Sequence, residues 1–296
     1  MLVQLIASGI ISGSLYAVTG VSWGIIYSTT HIFHFAHGLT FTFAAYVMIL
    51  FHVWWKVPLV LSVFAGLAAA ALLGCTIELL IYRPIRKVGG VQLTVFLAAM
   101  GTMVVGEALL HVLFSPTPRP LPGFPEELIL IGPTYFTTAD LALVVAAWLS
   151  IALLELLFAK TSWGRQIRAV RSNPDMATVV GIDIKKVFLI VFALGSVLMG
   201  IGAFFHTIRS EATPHMGLEP LLMAFIAVFL GGVGKTWGVA LAGLLIGIGE
   251  NLSLLILPAQ YKTIIVFGIM FVFLLFKPEG IMGGVKKGKK VAIKGK

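Results

Sequence analysis

The sequence predicts an all-α, polytopic transmembrane helix bundle of about eight or nine spans, re-entrant or broken helices included. Three observations predict it. Hydrophobic residues make up 59% of the 296 and charged residues only 11%, too little polar surface to coat a soluble globule of this length. The mean hydropathy is +1.03. Apolar runs recur at about twenty residues, the length a helix needs to cross the hydrocarbon core.

The runs near 2–27, 33–55, 57–82, 91–114, 139–159 and 187–209 each meet that length. The first lacks the basic start and small-residue cleavage site of a signal peptide, so it reads as a span. Residues 218–276 are apolar except around Gly231–Thr236 and Pro258–Lys262. They predict three further crossings, or two crossings and a re-entrant helix. The single Cys75 excludes an intrachain disulfide and reads as a buried small hydrophobe in an apolar run.

Threading these spans gathers Arg83, Arg86 and Lys87, the polar island 160–186 and the lysine-rich stretch Lys286 to Lys296 on one side. The positive-inside rule makes that side the cytoplasm, C-terminus included. The N-terminus and the proline-rich loop 115–138, with Glu126 and Glu127, fall outside. A single transmembrane domain, 1–285, is then followed by a basic cytoplasmic tail, 286–296, lying against anionic lipid headgroups. The net charge of +9 is a topology signal. Nucleic-acid binding is not expected, since basic residues are not interleaved with aromatics on a soluble face.

The island KTSWGRQIRAVRSNPDMATVVGIDIKK carries the clearest local signal. Asn173-Pro174-Asp175 reads as a helix start, with an N-cap side chain, proline at the first position and an acid in the first turn. Gly181 reads as the stop. The predicted helix, which includes Met176, is about two turns or about 10 Å long. Arg165, Arg168 and Arg171 precede it at i, i+3, i+6. A capped basic element between apolar spans predicts docking by something outside the membrane.

Within the spans, Gly9 and Gly13, Gly20 and Gly24, and Gly243 and Gly247 are spaced for close helix contact in lipid. Residues 33–50 and 229–247 share an aromatic start, a central glycine and a small-residue helix, as two related halves would. Gly231 to Thr236 invites a phosphate-loop reading, but Phe229 stands where that loop needs its first glycine, and the setting is apolar. His31, His34 and His37 recur at i, i+3, i+6 without a Cys, Asp or Glu to complete a metal site. They predict either hydrogen bonds to a solute or bonds that satisfy the backbone at a helix break beside Gly38.

Four acids lie in or at the ends of spans. Glu78 and Glu155 are within reach of Arg83 and Lys160. Glu107 is deeper, with His111 four residues on, and Glu250 is also deep. Each reads as an ion pair or interhelical bond, or as part of a proton relay in a self-sufficient carrier built on Glu107, His111 and Glu250. No GxSxG, HExxH or selectivity-filter pattern supports an enzyme or a channel.

Several blocks together resemble the LivH-type permeases of branched-chain amino acid ABC importers. They are SGSLYAVTGVSWGIIY and FAHG within 12–38, IELLIYRPIR at 77–86, TSWGRQIRAVRSNPDMATVVGI at 161–182, FIAVFLGGVGKTWGVALAGLLIGIGEN at 225–251 and KPEGIMG at 277–283. The resemblance implies a subunit of the bacterial inner membrane, paired with a second homologous permease as a heterodimer. It implies a periplasmic solute-binding protein and two cytoplasmic ABC ATPases that bind ATP and Mg, with no cofactor in this chain. It places the coupling role on Asn173 to Gly181, flanked by the three arginines. Tyr16, His34, Phe35, His37, Gly38, Gly231, Gly232, Gly234 and Lys235 are then the candidates for the solute path. His34 stands where such permeases usually have asparagine, and Lys235-Thr236 where they have small residues. If both line the path, the cargo can depart from leucine, isoleucine and valine toward urea, amides or small organic acids.

Overall fold

The computed structural model describes residues 1–283, except 126, 133, 257, 259 and 260. The boundary placed at 285/286 and the basic tail lie outside the described residues. Among the described residues, six helical stretches are long and apolar enough to cross a membrane: Leu2–Thr30, His37–Trp54, Leu59–Lys87, Gln92–Phe114, Thr138–Lys160 and Ile184–Ser210. The first is α1. The second is α2 (His37–Ile49) continued by a π-helical turn, Leu50–Trp54. The third is α3 (Leu59–Ile77), a π turn over Glu78–Tyr82 and α4 (Arg83–Lys87). The rest are α5 (Gln92–Phe114), α6 (Thr138–Lys160) and α9 (Ile184–Ser210).

Between α6 and α9 stand α7 (Ser162–Ser172) and α8 (Pro174–Val179). The apolar remainder forms α10 (Leu218–Gly231), α11 (Thr236–Ser253) and α12 (Lys262–Phe276). With 14 residues, α10 is about 21 Å long and falls short of the roughly 30 Å hydrocarbon core. Its first turn lies beside Gly38, since a Cβ on Gly38 would lie 3.1 Å from Gly217 O. The chain enters this stretch beside Arg209, which pairs with Asp140 at the start of α6. It leaves α10 at the Gly234 turn, bonded by Arg171 of α7, so α10 is the helical half of a broken crossing and not a re-entrant helix.

The glycine pairs do what their spacing predicts. On α1, a Cβ at Gly13 would lie 2.7 Å from Leu244 O; on α11, one at Gly243 would lie 2.6 Å from Ala17 N. The two helices thus run antiparallel in backbone contact, the close approach that small residues permit in lipid. Helix α9 packs beside them, with Gly195 against Ile26 and Ser22 and Gly202 against Thr19. Trp23, Tyr46, Phe41 and Phe192 are fully buried in the resulting core.

Two features depart from the sequence expectation. Glu78 pairs with Arg86 rather than Arg83, because the π turn rotates Glu78 and Tyr82 together into the bundle. Arg83 instead donates to Lys185 O at 3.3 Å. The proline-rich loop 115–138 also holds an antiparallel hairpin, β1 (Leu128–Ile131) with β2 (Thr134–Thr137). Gln4 of α1 bonds Tyr135 in both directions at 3.1 Å, so the N-terminus and this loop share one end of the molecule. Thr137 closes the α6 start in a capping box with Asp140.

Candidate functional site

At the opposite end, α7 and α8 form an arm. Thr161 caps α7 by accepting from Gly164 N at 3.1 Å, and Ile167 and Val170 are buried beneath it. Asn173 Oδ1 accepts from Met176 N at 3.0 Å, with Pro174 at the first helical position. Gly181 takes φ 83°, the left-handed conformation that ends a helix. The predicted capped helix is thus present, with Asp175 in its first turn. Met176, Val179 and Val180 are 62%, 79% and 74% exposed, an apolar display beside basic residues that suits protein contact.

The three arginines of the arm divide. Arg165 is exposed, and Arg168 donates to Phe158 O. Arg171 turns inward and donates through Nη1 to Gly234 O at 3.0 Å, its guanidinium 5.8 Å from the Phe158 ring centroid. Burial pulls the Arg171 pKa below the ordinary arginine value, opposed by the Glu155 charge and reinforced by Arg168. Glu155 therefore acts on Arg171, and it makes no ion pair with Lys160 among the described residues.

Gly234 lies in the turn between α10 and α11, so a helix, not a strand, enters the glycine run. Gly232 and Gly234 have φ of 101° and 81°, open to glycine and strained for other residues. Gly231 sits on Gly238, and Ile281 N and Met282 N donate to Leu230 O and Gly231 O at 2.7 and 3.2 Å. The 277–283 block is therefore stitched to the end of α10. Lys235 is exposed at the start of α11.

The remaining path candidates are mostly interior. His34 Nδ1 lies 2.7 Å from Tyr82 Oη, and His37 Nε2 2.6 Å from Ser22 Oγ. Ser22 donates its single proton to Gly195 O at 2.8 Å, so His37 Nε2 must be the donor to Ser22. Both imidazoles are fully buried and tie helices together. Tyr16 is buried against Glu250 at the α1–α11 contact. Phe35 is half-buried with its ring 5.3 Å from Phe96.

On helix α5, sequence reasoning singled out Glu107 and His111 but missed the stripe they belong to and its partners. Phe96, Met100, Met103, Glu107 and His111 follow one another at helical spacing and share a stripe. At the start of α5, Phe96 joins Phe33, Phe35, Phe225, Phe229, Tyr27 and Trp23 in a continuous ring cluster. Met103 meets Gly38, beside which the short α10 begins. Above it, Glu107 Oε2 lies 2.9 Å from His215 Nδ1 on the segment that leads into α10, and His111 is 5.8 Å from that ring. Glu107 thus pairs with a residue 108 positions away, where helical spacing suggested only His111. An aromatic floor, a junction of two helix starts and an ionisable rim therefore lie along one side of the molecule.

Residues 5–275 match the model of the family described as branched-chain amino acid transport system, permease component. The chain belongs to that family. Among its relatives, the high-affinity branched-chain amino acid transport system permease protein BraD of Pseudomonas aeruginosa is 26% identical over 299 residues, covering 95% of each chain. The LivH permease of Escherichia coli is likewise 26% identical over 296 residues at 95% coverage of each. The xylose transport system permease protein XylH of Haemophilus influenzae is 34% identical over 119 residues, 38% of this chain and 32% of that protein. The branched-chain permease family thus accounts for nearly the whole helical bundle, arm and α5 face included.

Proposed function

We propose that this chain is one translocation subunit of a bacterial inner-membrane ABC importer for branched-chain amino acids or a related small solute. The observation that carries the reading is the Arg171 to Gly234 bond, 3.0 Å, which fastens the exposed arm to the turn that ends α10. A cytoplasmic ATPase seated on α8 moves the arm as nucleotide closes it, and Arg171 passes that motion to the half-helix that forms one wall of the α5 face. Bistable packing converts such small shifts into opening and closing. Two ATPases, a second permease across the α5 face and a periplasmic binding protein complete the assembly.

The aromatic floor supports an aliphatic side chain as cargo, since it offers apolar area with little conformational freedom to lose. The acids of a proton-coupled carrier lie apart, Glu107 with His215 at the α5 face and Glu250 with Tyr16 between α11 and α1. The test is to purify the chain with its native companions and reconstitute it. Asp175→Arg and Gly181→Trp are expected to leave the protein in the membrane while uptake per ATP hydrolysed collapses. Normal coupling in both variants, or uptake by the chain alone on a proton gradient, overturns the reading.

A further inference from the structure

His215 is 66% exposed while Glu107, which holds its Nδ1 at 2.9 Å, is 12% exposed. Glu107 is the sixteenth of the 23 residues of α5, about 10 Å inside the helix's outer end at 1.5 Å per residue. At that depth an ionisable side chain must face protein or a watery cavity, because contact with acyl chains is too costly. The carboxylate only accepts, so the proton of the bond sits on His215 Nδ1. On the uncharged ring the Nε2 lone pair then points away from Glu107, and the exposed His111 ring stands 5.8 Å off as a second acceptor. The buried Glu107 adds negative charge behind the imidazole.

From this geometry we infer that His215, positioned by Glu107 and assisted by His111, is a recognition point for the ammonium end of the solute. The inference deepens the importer reading and rests on it for the route the solute takes. An ammonium donates to Nε2 and gains the field of Glu107. A lone carboxylate meets an acceptor and a negative charge, and is rejected.

The test uses the complete transporter in lipid nanodiscs without its binding protein, and two radiolabelled probes that share a branched carbon chain. One, 3-methylbutylamine, carries only the ammonium; the other, 4-methylpentanoate, carries only the carboxylate. The amine is expected to bind and the acid not. His215→Ala should weaken amine binding about tenfold, the worth of one charged hydrogen bond. Glu107→Gln, which keeps the bond acceptor but loses the charge, should weaken it less, and Glu107→Asp should restore the wild-type preference for amine over acid. Equal binding of both probes, binding of neither, or an unchanged amine affinity in His215→Ala overturns the inference. Leucine uptake driven by ATP is measured separately, so loss of that uptake with amine selectivity intact would count against the importer reading alone.

Discussion

The two sides of this bundle solve opposite problems. Between α1, α9 and α11 the backbones touch at glycines, and His34, His37 and Tyr16 are buried in bonds or contacts to neighbouring helices. Along α5 the packing is loose, a groove of about 490 Å³ opens among Leu39, Leu73, Gly106 and Leu109, and His111 and His215 are exposed. His34, His37, His111 and His215 thus divide into two that hold the frame and two on a free face. The difference teaches that a polar residue in a span is defined by the helix it faces, not by its depth.

The sharpest way to break this comparison is steric. Gly247 lies directly on the Gly13 backbone, whereas a Cβ at Gly101 in α5 would meet nothing within 4 Å. Gly247→Leu should cost more than about 3 kcal/mol, beyond the usual range for overpacking because backbone must move. It should abolish recovery of monodisperse protein in gel filtration; Gly101→Leu should be recovered at wild-type yield. Equal yields would mean that the two sides are not differently packed.

Arg171 joins the two sides, and its loss should have the next largest effect. Arg171→Ala removes the bond to Gly234 and leaves α8 exposed as before. Solute uptake by the reconstituted transporter is expected to fall about tenfold, as loss of a charge-assisted bond implies, with ATP hydrolysis retained. A parallel fall in both would place Arg171 in the frame instead.

His37→Leu is the milder test of the frame. It leaves Ser22 with its bond to Gly195 but strips the imidazole donor from a buried oxygen, at a cost of about 1–3 kcal/mol. Thermal unfolding in detergent should drop by several degrees, while cargo preference stays as in the parent. A changed preference with unchanged melting would return His37 to the solute path.

Much of the frame was legible because its signals are local. Span lengths, the glycine pairs and the Asn173-Pro174-Asp175 start each depend on residues within a turn or two, and all are where the pattern predicts them. The face was not. Glu107 finds His215 across 108 positions, and Phe96 meets Phe33 and Phe35 across a helix break. The α5 stripe from Phe96 through Met103 and Glu107 to His111 was the readable clue, but hydrophobic periodicity in a span does not say which neighbour a stripe will face. The same limit explains Glu78, whose π turn carries it to Arg86 rather than Arg83.

The smallest expected effects separate a working face from an incidental surface. Phe229 touches Phe33, Phe225, Tyr27 and Trp23 at ring distances of 4.7 to 6.4 Å, but it is only half-buried. Phe229→Leu keeps apolar volume and loses the ring contacts, each worth about 0.5–1.5 kcal/mol. It should raise the KM of uptake a few-fold and leave melting nearly unchanged. Lys235 is the contrast, since it is exposed beside Gly234 and the arm's contact there is made by Arg171 to a backbone carbonyl. A surface substitution of this kind stays within about 0.5 kcal/mol, so Lys235→Ala should alter neither KM nor coupling. If Lys235→Ala changes cargo preference while Phe229→Leu does not, the solute passes the α10–α11 turn rather than the aromatic floor, and the working face must be moved there.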